Sequence, residues 1–258
     1  MLSTTLVCIL AGIGAGLGAG FAGISTATVI SPMLITLVGL PAYQSIGIAL
    51  AADVLASAAA ARVYAKNHNI DIRHGMVMLV SVLIMTAAGS VLATYVPNTT
   101  LGSFSTLMTL FLGIKFLVRP TVNTNEANAM KPPHRRMVES LVCGLCIGFV
   151  CGFIGAGGGL MMLFVLTSIL GYELKTAVGT SVFVMTFTAF TGSVSHILIG
   201  GIPDLYVLVL CAIVTLIFAQ VGSLIANHVD NRTLNRITGV ILTVVGGGIS
   251  ILRLVAYL

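Results

Sequence analysis

The run of residues 155–159, with sequence GAGGG, places four glycines inside a long apolar stretch of the chain. Glycine costs roughly 1 kcal/mol per residue in a helix relative to alanine, so this run is expected to break a helix. A broken backbone at membrane depth is tolerated only where it packs within protein or lines a wet cavity. The run therefore indicates either the substrate site of a secondary transporter or close helix packing through small residues.

A second run, residues 23–28 with sequence GISTAT, has the same setting near the start of the chain. Each run offers free backbone N–H groups at the beginning of a short helix, and glycine lets a ligand approach that backbone. Hydroxyl groups in the second run add donors, so together the runs have the groups that replace water around a small oxyanion. Helix capping by Ser25 or Thr26 uses the same geometry and is the structural alternative. The predicted anion contacts are Gly23, Ser25, Thr26, Thr28, Gly155, Gly157, Gly158 and Gly159.

Two of the apolar segments that follow these runs begin with polar side chains. Gln44 and Ser45 open one segment, and Thr180 and Ser181 lie near the start of the other. These four residues are predicted to line the substrate pathway. The alternative is that the serine and threonine hydroxyls bond to the carbonyl groups of their own helix.

Asp53 and His196 are the ionisable side chains predicted to couple transport to an ion gradient. Asp53 lies near the middle of the segment 43–65, where a carboxylate is costly and marks an ion site or a proton relay by default. His196 lies late in the segment 174–199 and can carry a proton near neutral pH. The structural alternatives are a neutral buried carboxyl group bonded to a serine and an ordinary interfacial histidine. Tyr64, the repeat-mate of His196, is interpreted as a membrane-interface anchor.

Motifs of the main hydrolytic enzymes are missing from the sequence. No G-x-S-x-G, H-E-x-x-H or phosphate-binding lysine loop occurs, and Asp53 has no second aspartate within a span. The C-x-x-C spacing of Cys143 and Cys146 lacks a second cysteine pair or a nearby histidine to complete a zinc site. We therefore expect no enzymatic activity, no metal and no cofactor.

The composition indicates an all-α polytopic integral membrane protein. The chain of 258 residues is 57% hydrophobic and 7% charged, with a mean hydropathy of +1.11, whereas soluble domains carry about 25% charged residues. No basic block suggests nucleic acid binding, and residues 2–40 continue apolar beyond the length of a cleaved signal peptide. The expected partners are the lipid bilayer and a small anion, and homo-oligomer formation is left open.

The apolar segments divide into two groups of five. They cover about residues 4–20, 23–38, 43–65, 74–96 and 100–118, and then 137–152, 156–170, 174–199, 204–227 and 234–256. A shift of 132 residues superposes the groups and matches Gly20, Phe21, Gly23, Leu34, Gly39 and Gly47 with Gly152, Phe153, Gly155, Leu166, Gly171 and Gly179. We predict a single transporter domain with repeat one over 1–118, a polar cytoplasmic linker over 119–136 and repeat two over 137–258. The first two segments of each group are short, so tilted spans and re-entrant hairpins both remain open.

The placement of lysine and arginine predicts how the repeats are oriented. Ten of the twelve positive residues lie in or beside four loops, which the positive-inside rule places in the cytoplasm. The loop around His68 is then inside, whereas its repeat-mate around Gly200 is outside. The two repeats are therefore predicted to be inverted, with both termini outside.

Several motifs occur in an order that resembles the TauE/SafE family of sulfite exporters. They are the run 152–159 (GFIGAGGG), Gly171-Tyr172, the run 178–181 (VGTS), Ser195-His196 and the run 200–204 (GGIPD). The first half carries degenerate counterparts at 39–41 (GLP) and 70–71 (ID), so the resemblance covers essentially the whole chain. Two features depart from the family pattern: residues 25–27 (STA) replace a glycine triplet, and Asp53 stands where family members are apolar.

The resemblance implies a multi-pass permease of a bacterial-type inner membrane for sulfite, sulfoacetate or related small organosulfur and carboxylate anions. The hypothesis from the sequence is a secondary transporter of such an anion, with export as the direction and proton coupling left open. A passive anion channel is the alternative, and a membrane-embedded enzyme or assembly factor is a third interpretation.

Overall fold

The computed structural model describes residues 2–93, 133–154, 158–201 and 203–257, with the isolated positions 111, 114, 117 and 118. The elements of this part of the chain are all helical, which confirms the all-α fold predicted from the sequence. Among the described helices, four are long and apolar enough to cross a membrane: Thr4–Ala22, Gln44–Lys66, Leu174–Ser195 and Leu205–His228. The predicted segment 100–118 and most of the predicted linker lie outside the described residues.

The described helices follow the apolar segments closely. In the first half, α1 spans Leu2–Ala22, α2 Ala27–Met33, α3 Ala42–Lys66 and α4 Ile72–Ala93. In the second half, α5 spans Pro133–Ile154, α6 Gly158–Phe164, α7 Leu174–Gly200, α8 Leu205–His228 and α9 Asn231–Tyr257. α5 begins inside the predicted linker, because proline is favoured in the first turn of a helix.

The short helices α2 and α6 end in the same way. Each has seven residues and continues as a five-residue π-helical turn, over Leu34–Val38 and Val165–Ile169 respectively. A glycine with positive φ then ends each unit, Gly39 at 77° and Gly171 at 66°, a conformation that glycine adopts at no steric cost. Each unit rises about 18 Å, so neither crosses a hydrocarbon core of about 30 Å as a single helix.

The helix α2 folds back along α1. Gly18 lies against Ile24, and Gly14 lies against Val29, so the contacts move down one arm as they move up the other. Of the two arrangements left open by the sequence, this geometry favours a hairpin whose second arm is too short to span.

Two helix pairs pack through glycines. A Cβ atom at Gly16 of α1 would lie 2.6 Å from the carbonyl oxygen of Thr215 in α8. Similarly, a Cβ atom at Gly148 of α5 would lie 2.3 Å from the carbonyl oxygen of Val82 in α4. Small residues allow this close approach of helix backbones in membranes. In the predicted repeat α1 corresponds to α5 and α8 to α4, so the two pairs are equivalent.

The helices α3 and α7 run antiparallel against each other. Gly192 of α7 lies against Leu50 of α3, and Gly179 lies against Tyr64 at the other end of α3. The predicted shift of 132 residues makes α3 and α7 repeat-mates. Their opposite directions support the inverted arrangement, which stays a prediction.

Tyr64 is buried inside the bundle, so its interpretation as a membrane-interface anchor is wrong. Its side chain is fully buried, and its hydroxyl donates to the carbonyl oxygen of Gly20 at 2.8 Å. That carbonyl belongs to the last turn of α1, where helix carbonyl groups need partners from outside the helix. Local sequence shows an aromatic residue near positive charges but does not show the helix that covers it.

Candidate functional site

The break between α1 and α2 brings the first set of predicted anion contacts into the protein interior. Gly23 has a φ of 60°, and its N–H donates to the carbonyl oxygen of Ala19 at 2.9 Å, which ends α1. Residues 21–31 are all buried. The broken backbone therefore lies within protein, as it must at membrane depth.

The three hydroxyl groups of this break donate hydrogen bonds to protein oxygens. Ser25 donates to Oδ2 of Asp53 at 2.6 Å, and Thr26 donates to the carbonyl oxygen of Ala49 at 2.8 Å. Thr28 donates to the carbonyl oxygen of Ser25 at 2.6 Å. All three hydroxyl hydrogens are therefore engaged in this conformation.

Helix capping explains little of this arrangement. The Ala27 N–H donates to Ser25 Oγ at 3.4 Å, which is long for a hydrogen bond. Thr26, the residue that precedes α2, makes no capping bond with its side chain. The capping alternative is therefore weak for both residues, and the hydroxyl groups serve longer-range contacts.

Asp53 is buried in the middle of α3 and bonds to the first break. Its side chain is 1% exposed, Oδ2 accepts the Ser25 hydrogen bond, and Oδ1 has no partner among the described residues. In the described part of the chain, the one ion pair joins His74 and Asp71, so Asp53 has no countercharge there. The predicted coupling residue thus touches a predicted anion contact.

The two breaks meet at Gly159. A Cβ atom at this position would lie 2.7 Å from the backbone nitrogen of Ser25 and 2.9 Å from the carbonyl oxygen of Gly23. Ser181 of α7 donates to that same Gly23 carbonyl at 3.1 Å. Only glycine allows such a close approach of backbone to backbone, so Gly159 brings the second half into contact with the first. Gly158 begins α6 and is half-buried, whereas Gly155 and Gly157 lie outside the described residues.

The remaining predicted site residues lie in different places. Thr180 is buried and accepts a 3.1 Å hydrogen bond from the Asp71 N–H, so its hydroxyl faces the start of α4. Ser45 is fully buried and its Oγ has no partner among the described residues, and Gln44 is half-buried in the same turn of α3. His196 lies about 22 Å beyond Ser181 along the axis of α7, so its backbone is separate from the breaks.

The family follows from sequence comparison. The sequence model of the family described as Sulfite exporter TauE/SafE matches residues 8–249. The chain belongs to the TauE/SafE family. The "Probable membrane transporter protein YunE" of Bacillus subtilis (strain 168) is 25% identical to it, over 90% of this chain and 89% of the relative. The "Probable membrane transporter protein YdhB" of the same organism is 23% identical, over 82% of this chain and 86% of the relative. No solved structure gives a significant match.

TauE/SafE membership confirms the resemblance drawn from the glycine-rich motifs. Together with the apolar helices that are long enough to span a bilayer, it identifies the chain as a multi-pass membrane protein of a transporter family. The matched region includes both breaks, Asp53 and Ser181.

Two groups at the TauE/SafE site were not predicted as contacts from the sequence. The carbonyl group of Ala49 accepts from Thr26, and Met185 places its sulfur beside Gly159, where a Cβ would lie 2.7 Å from it. Met185 is the repeat-mate of Asp53, so the shift of 132 residues was the available signal. A backbone carbonyl such as that of Ala49 leaves no signal in residue type.

Asp71 joins the two halves where α3 meets α4, a role that sequence reasoning also missed. The Tyr172 hydroxyl donates to its Oδ2 at 2.7 Å, the His74 N–H donates to Oδ1 at 3.1 Å, and the His74 ring lies 2.8 Å from Oδ2. Partial burial of Asp71 opposes its ionisation, but hydrogen bonds from the His74 N–H, the Tyr172 hydroxyl and the His74 ring outweigh burial and lower its pKa.

Other polar contacts lie on the same face. Asn69 donates to the Asn227 side chain at 2.7 Å, and Lys175 donates to the Asn227 carbonyl oxygen at 3.1 Å. The α3–α4 loop, the start of α7 and the end of α8 therefore meet at one end of the bundle. All three belong to the loops that the charge pattern places in the cytoplasm.

Proposed function

We propose that this protein is a secondary transporter that moves a small anion across the cell inner membrane. The proposed substrate is sulfite or a related organosulfur or carboxylate anion, and the proposed direction is export. The observation that carries the proposal is the contact between two broken helices at Gly159, Gly23 and Ser25, inside a bundle of apolar helices. Discontinuous helices of this kind form the substrate sites of secondary transporters.

The proposed anion contacts are the backbone groups of the two breaks. Glycines at 23, 158 and 159 allow a ligand to approach the backbone, and backbone N–H groups suit an oxyanion. The hydroxyls of Ser25, Thr26 and Thr28 have protein acceptors in this structure, so each would have to exchange its acceptor to contact the anion. Gln44, Ser45 and Ser181 line the same region in this proposal, and Thr180 supports it through Asp71.

Movement of one half against the other would expose this site alternately to the two sides. The equivalent pairs α1–α8 and α4–α5, and the antiparallel packing of α3 and α7, support two inverted halves. Inverted halves allow two mirror-related conformations of similar energy around one fixed site. A passive channel lacks this alternation and is the second candidate.

The test is transport by purified protein in proteoliposomes loaded with sulfite, sulfoacetate, acetate or phosphate. We expect sulfite or sulfoacetate to leave in a saturable manner and to raise the thermal unfolding midpoint of the purified protein. Flux that rises linearly with concentration would indicate a channel. Absence of flux and of thermal stabilisation for every anion in the panel would contradict the proposed function.

Ion coupling is part of this proposal, with Asp53 and His196 as the coupling residues. Asp53 lies at the break, whereas His196 lies towards the other end of α7. Imposing a pH gradient on the same vesicles tests the coupling. Faster sulfite flux under that gradient would support it.

A further inference from the structure

We propose that Asp53, with Ser25 and Thr26, forms a binding site for a small monovalent cation, either a proton or Na⁺, at the first break. The inference rests on the proposed transport function and changes how the site is divided. It assigns the hydroxyl groups of the first break to a cation site rather than to the anion.

The hydrogen-bond inventory of the first break favours a positive ligand. Ser25, Thr26 and Thr28 each have one hydroxyl hydrogen, and all three hydrogens already point at protein oxygens. An anion needs donors, and these side chains have none left in this conformation. The atom without a partner is instead an acceptor, Oδ1 of Asp53, on a side chain that is 1% exposed.

A buried carboxyl group with one hydrogen bond is unstable as a bare charge. Loss of a charge from water costs several kcal/mol per ion even in real proteins, unless a countercharge repays it. Asp53 has no ion-pair partner in the described part of the chain. A proton or a bound Na⁺ would supply the missing positive charge.

The chemistry around Asp53 fits a monovalent cation better than a divalent one. Within the described residues, no group of three histidine, cysteine or acidic side chains is close enough to hold a metal ion. The oxygens near Oδ2 are a hydroxyl from Ser25 and, beside it, Thr26. One carboxylate with neutral oxygens neutralises a single positive charge, and unwound backbone near such a group coordinates Na⁺ or H⁺ in other transporters.

Other titratable groups on the packed helices make different contacts. The helices α1, α2, α7 and α8 pack against α3, and α2 carries no titratable side chain. Tyr64 of α3 donates to Gly20, Lys175 of α7 donates to Asn227, and the ring of His228 on α8 contacts Leu224. The remaining titratable groups on α1, α3, α7 and α8 are Cys8, Tyr43, Arg62, Lys66, His196, Tyr206 and Cys211, and no hydrogen bond or ion pair joins Asp53 to the described side chains among them.

Two further hydroxyl groups lie on the elements that enclose Asp53. Ser31 on α2 is 5% exposed and Ser45 on α3 is fully buried, and neither Oγ has a partner among the described residues. Both lie on the side of Asp53 nearer to the α2–α3 connection, and Ser45 is about 12 Å from Asp53 along the axis of α3. They would offer polar stepping points between that end of the bundle and the carboxyl group.

Direct binding measurements on purified protein test the site without relying on transport. Radioactive ²²Na⁺ binding and the infrared band of a protonated carboxyl group are compared between the wild type and Asp53→Asn. Loss of ²²Na⁺ binding in the variant identifies Na⁺, and loss of a protonated carboxyl band identifies a proton. If the wild type shows neither Na⁺ binding nor a carboxyl band that depends on Asp53, the cation site is refuted.

Matched serine variants test the geometry. Ser25→Ala removes the donor to Oδ2 of Asp53, whereas Ser57→Ala removes a buried hydroxyl that donates only to carbonyl groups of α3. We expect Ser25→Ala to shift the Na⁺ affinity, or the pH midpoint of the carboxyl band, and Ser57→Ala to leave both unchanged. Equal behaviour of the two variants would contradict the assignment.

Sulfite flux in proteoliposomes separates this inference from the proposed function. With a pH or Na⁺ gradient imposed, we expect Asp53→Asn to lose the stimulation by that gradient and to keep flux driven by sulfite alone. The exposed carboxylate variant Asp230→Asn serves as the control and should keep both. Absence of sulfite flux in the wild type would refute the substrate proposal, while the binding measurements would still decide the cation site. Wild-type stimulation that survives unchanged in Asp53→Asn would overturn the inference.

Discussion

Asp53 receives its one side-chain hydrogen bond from Ser25, a residue 28 positions earlier in the chain. The bond ties the middle of α3 to the tip of the α1–α2 hairpin. Because the second break touches the Ser25 backbone at Gly159, a change at Asp53 reaches both halves through two contacts.

At the residue scale, we predict that Asp53→Asn retains anion binding. A fixed negative charge beside an anion costs several kcal/mol at low effective dielectric, about 4 kcal/mol at 4 Å for an effective dielectric of 20. Removing that charge takes away no donor from the anion, so sulfite should raise the unfolding midpoint as much as in the wild type. A folded variant that sulfite no longer stabilises would place Asp53 in the anion site.

A second residue-scale prediction concerns Asp71, whose pKa is lowered in the folded protein. A group with a depressed folded pKa contributes stability above its unfolded pKa of about 4, and that contribution is lost as the pH falls below it. Asp71→Asn should therefore lower stability at neutral pH by about 1 kcal/mol and flatten the loss of stability on acidification. Thermal unfolding midpoints between pH 3 and 7, about the range that spans this titration, measure both effects. A variant with the acid profile of the wild type would contradict the prediction.

At the scale of elements, glycine decides which helices approach closely. The contacts of α1 with α8 and of α4 with α5 are made where a Cβ would meet backbone atoms. By contrast, Gly247 and Gly248 of α9 have nothing within 4 Å of a Cβ. The chain thus contains matched glycines with and without a packing role.

We predict that Gly16→Ala destabilises the fold by about 1–3 kcal/mol, the usual cost of forcing an extra group into a packed contact. The new Cβ would lie 2.6 Å from a backbone oxygen of α8, so the helices must separate. Gly248→Ala is the control and should be neutral or slightly stabilising, because alanine is the better helix former. Equal unfolding midpoints for the two variants would contradict the close contact.

The contact between the two breaks gives a separate prediction. Gly159→Ala should insert and fold but lose sulfite transport, because its Cβ would push the second break away from Ser25 and Gly23. Gly248→Ala again provides the control for expression and transport. Normal flux by a well-expressed Gly159→Ala variant would show that the contact between the breaks serves packing alone.

At the scale of the whole molecule, the contacts gather three loops at one end. Asn69, Tyr172 and Asn227 come from loops that are far apart in the chain, and hydrogen bonds join them across the halves. In the predicted orientation this end faces the cytoplasm, so these bonds would hold the inner side of the protein closed.

The orientation is tested with cysteine labelling in a cysteine-free background. Leu205 and Asp230 are exposed and lie at opposite ends of α8. A membrane-impermeant reagent added outside should label Leu205→Cys strongly and Asp230→Cys poorly, because the predicted arrangement places residue 230 inside. The reverse pattern would discard that arrangement.

The sequence by itself determined the membrane class, the helix positions and the location of the breaks. These features depend on local properties: the length of an apolar run sets a helix, and glycine clusters interrupt it. The family motifs are equally local in sequence. The prediction of an anion site at both breaks used the same information, and it stays a prediction.

Only the tertiary structure decided which groups face each other. The repeat shift relates Asp53 to Met185 and Tyr64 to His196, but it does not show that Asp53 meets Ser25 or that Tyr64 meets Gly20. Those partners come from different helices, and their contact depends on how the hairpin folds back and on which glycines let backbones approach. Hydrophobic patterning records how much of a helix is buried, whereas the partner of a polar group is set by packing across elements. For that reason the hydroxyls of the first break, predicted as anion donors, were found bonded to a carboxyl group and to carbonyl oxygens instead.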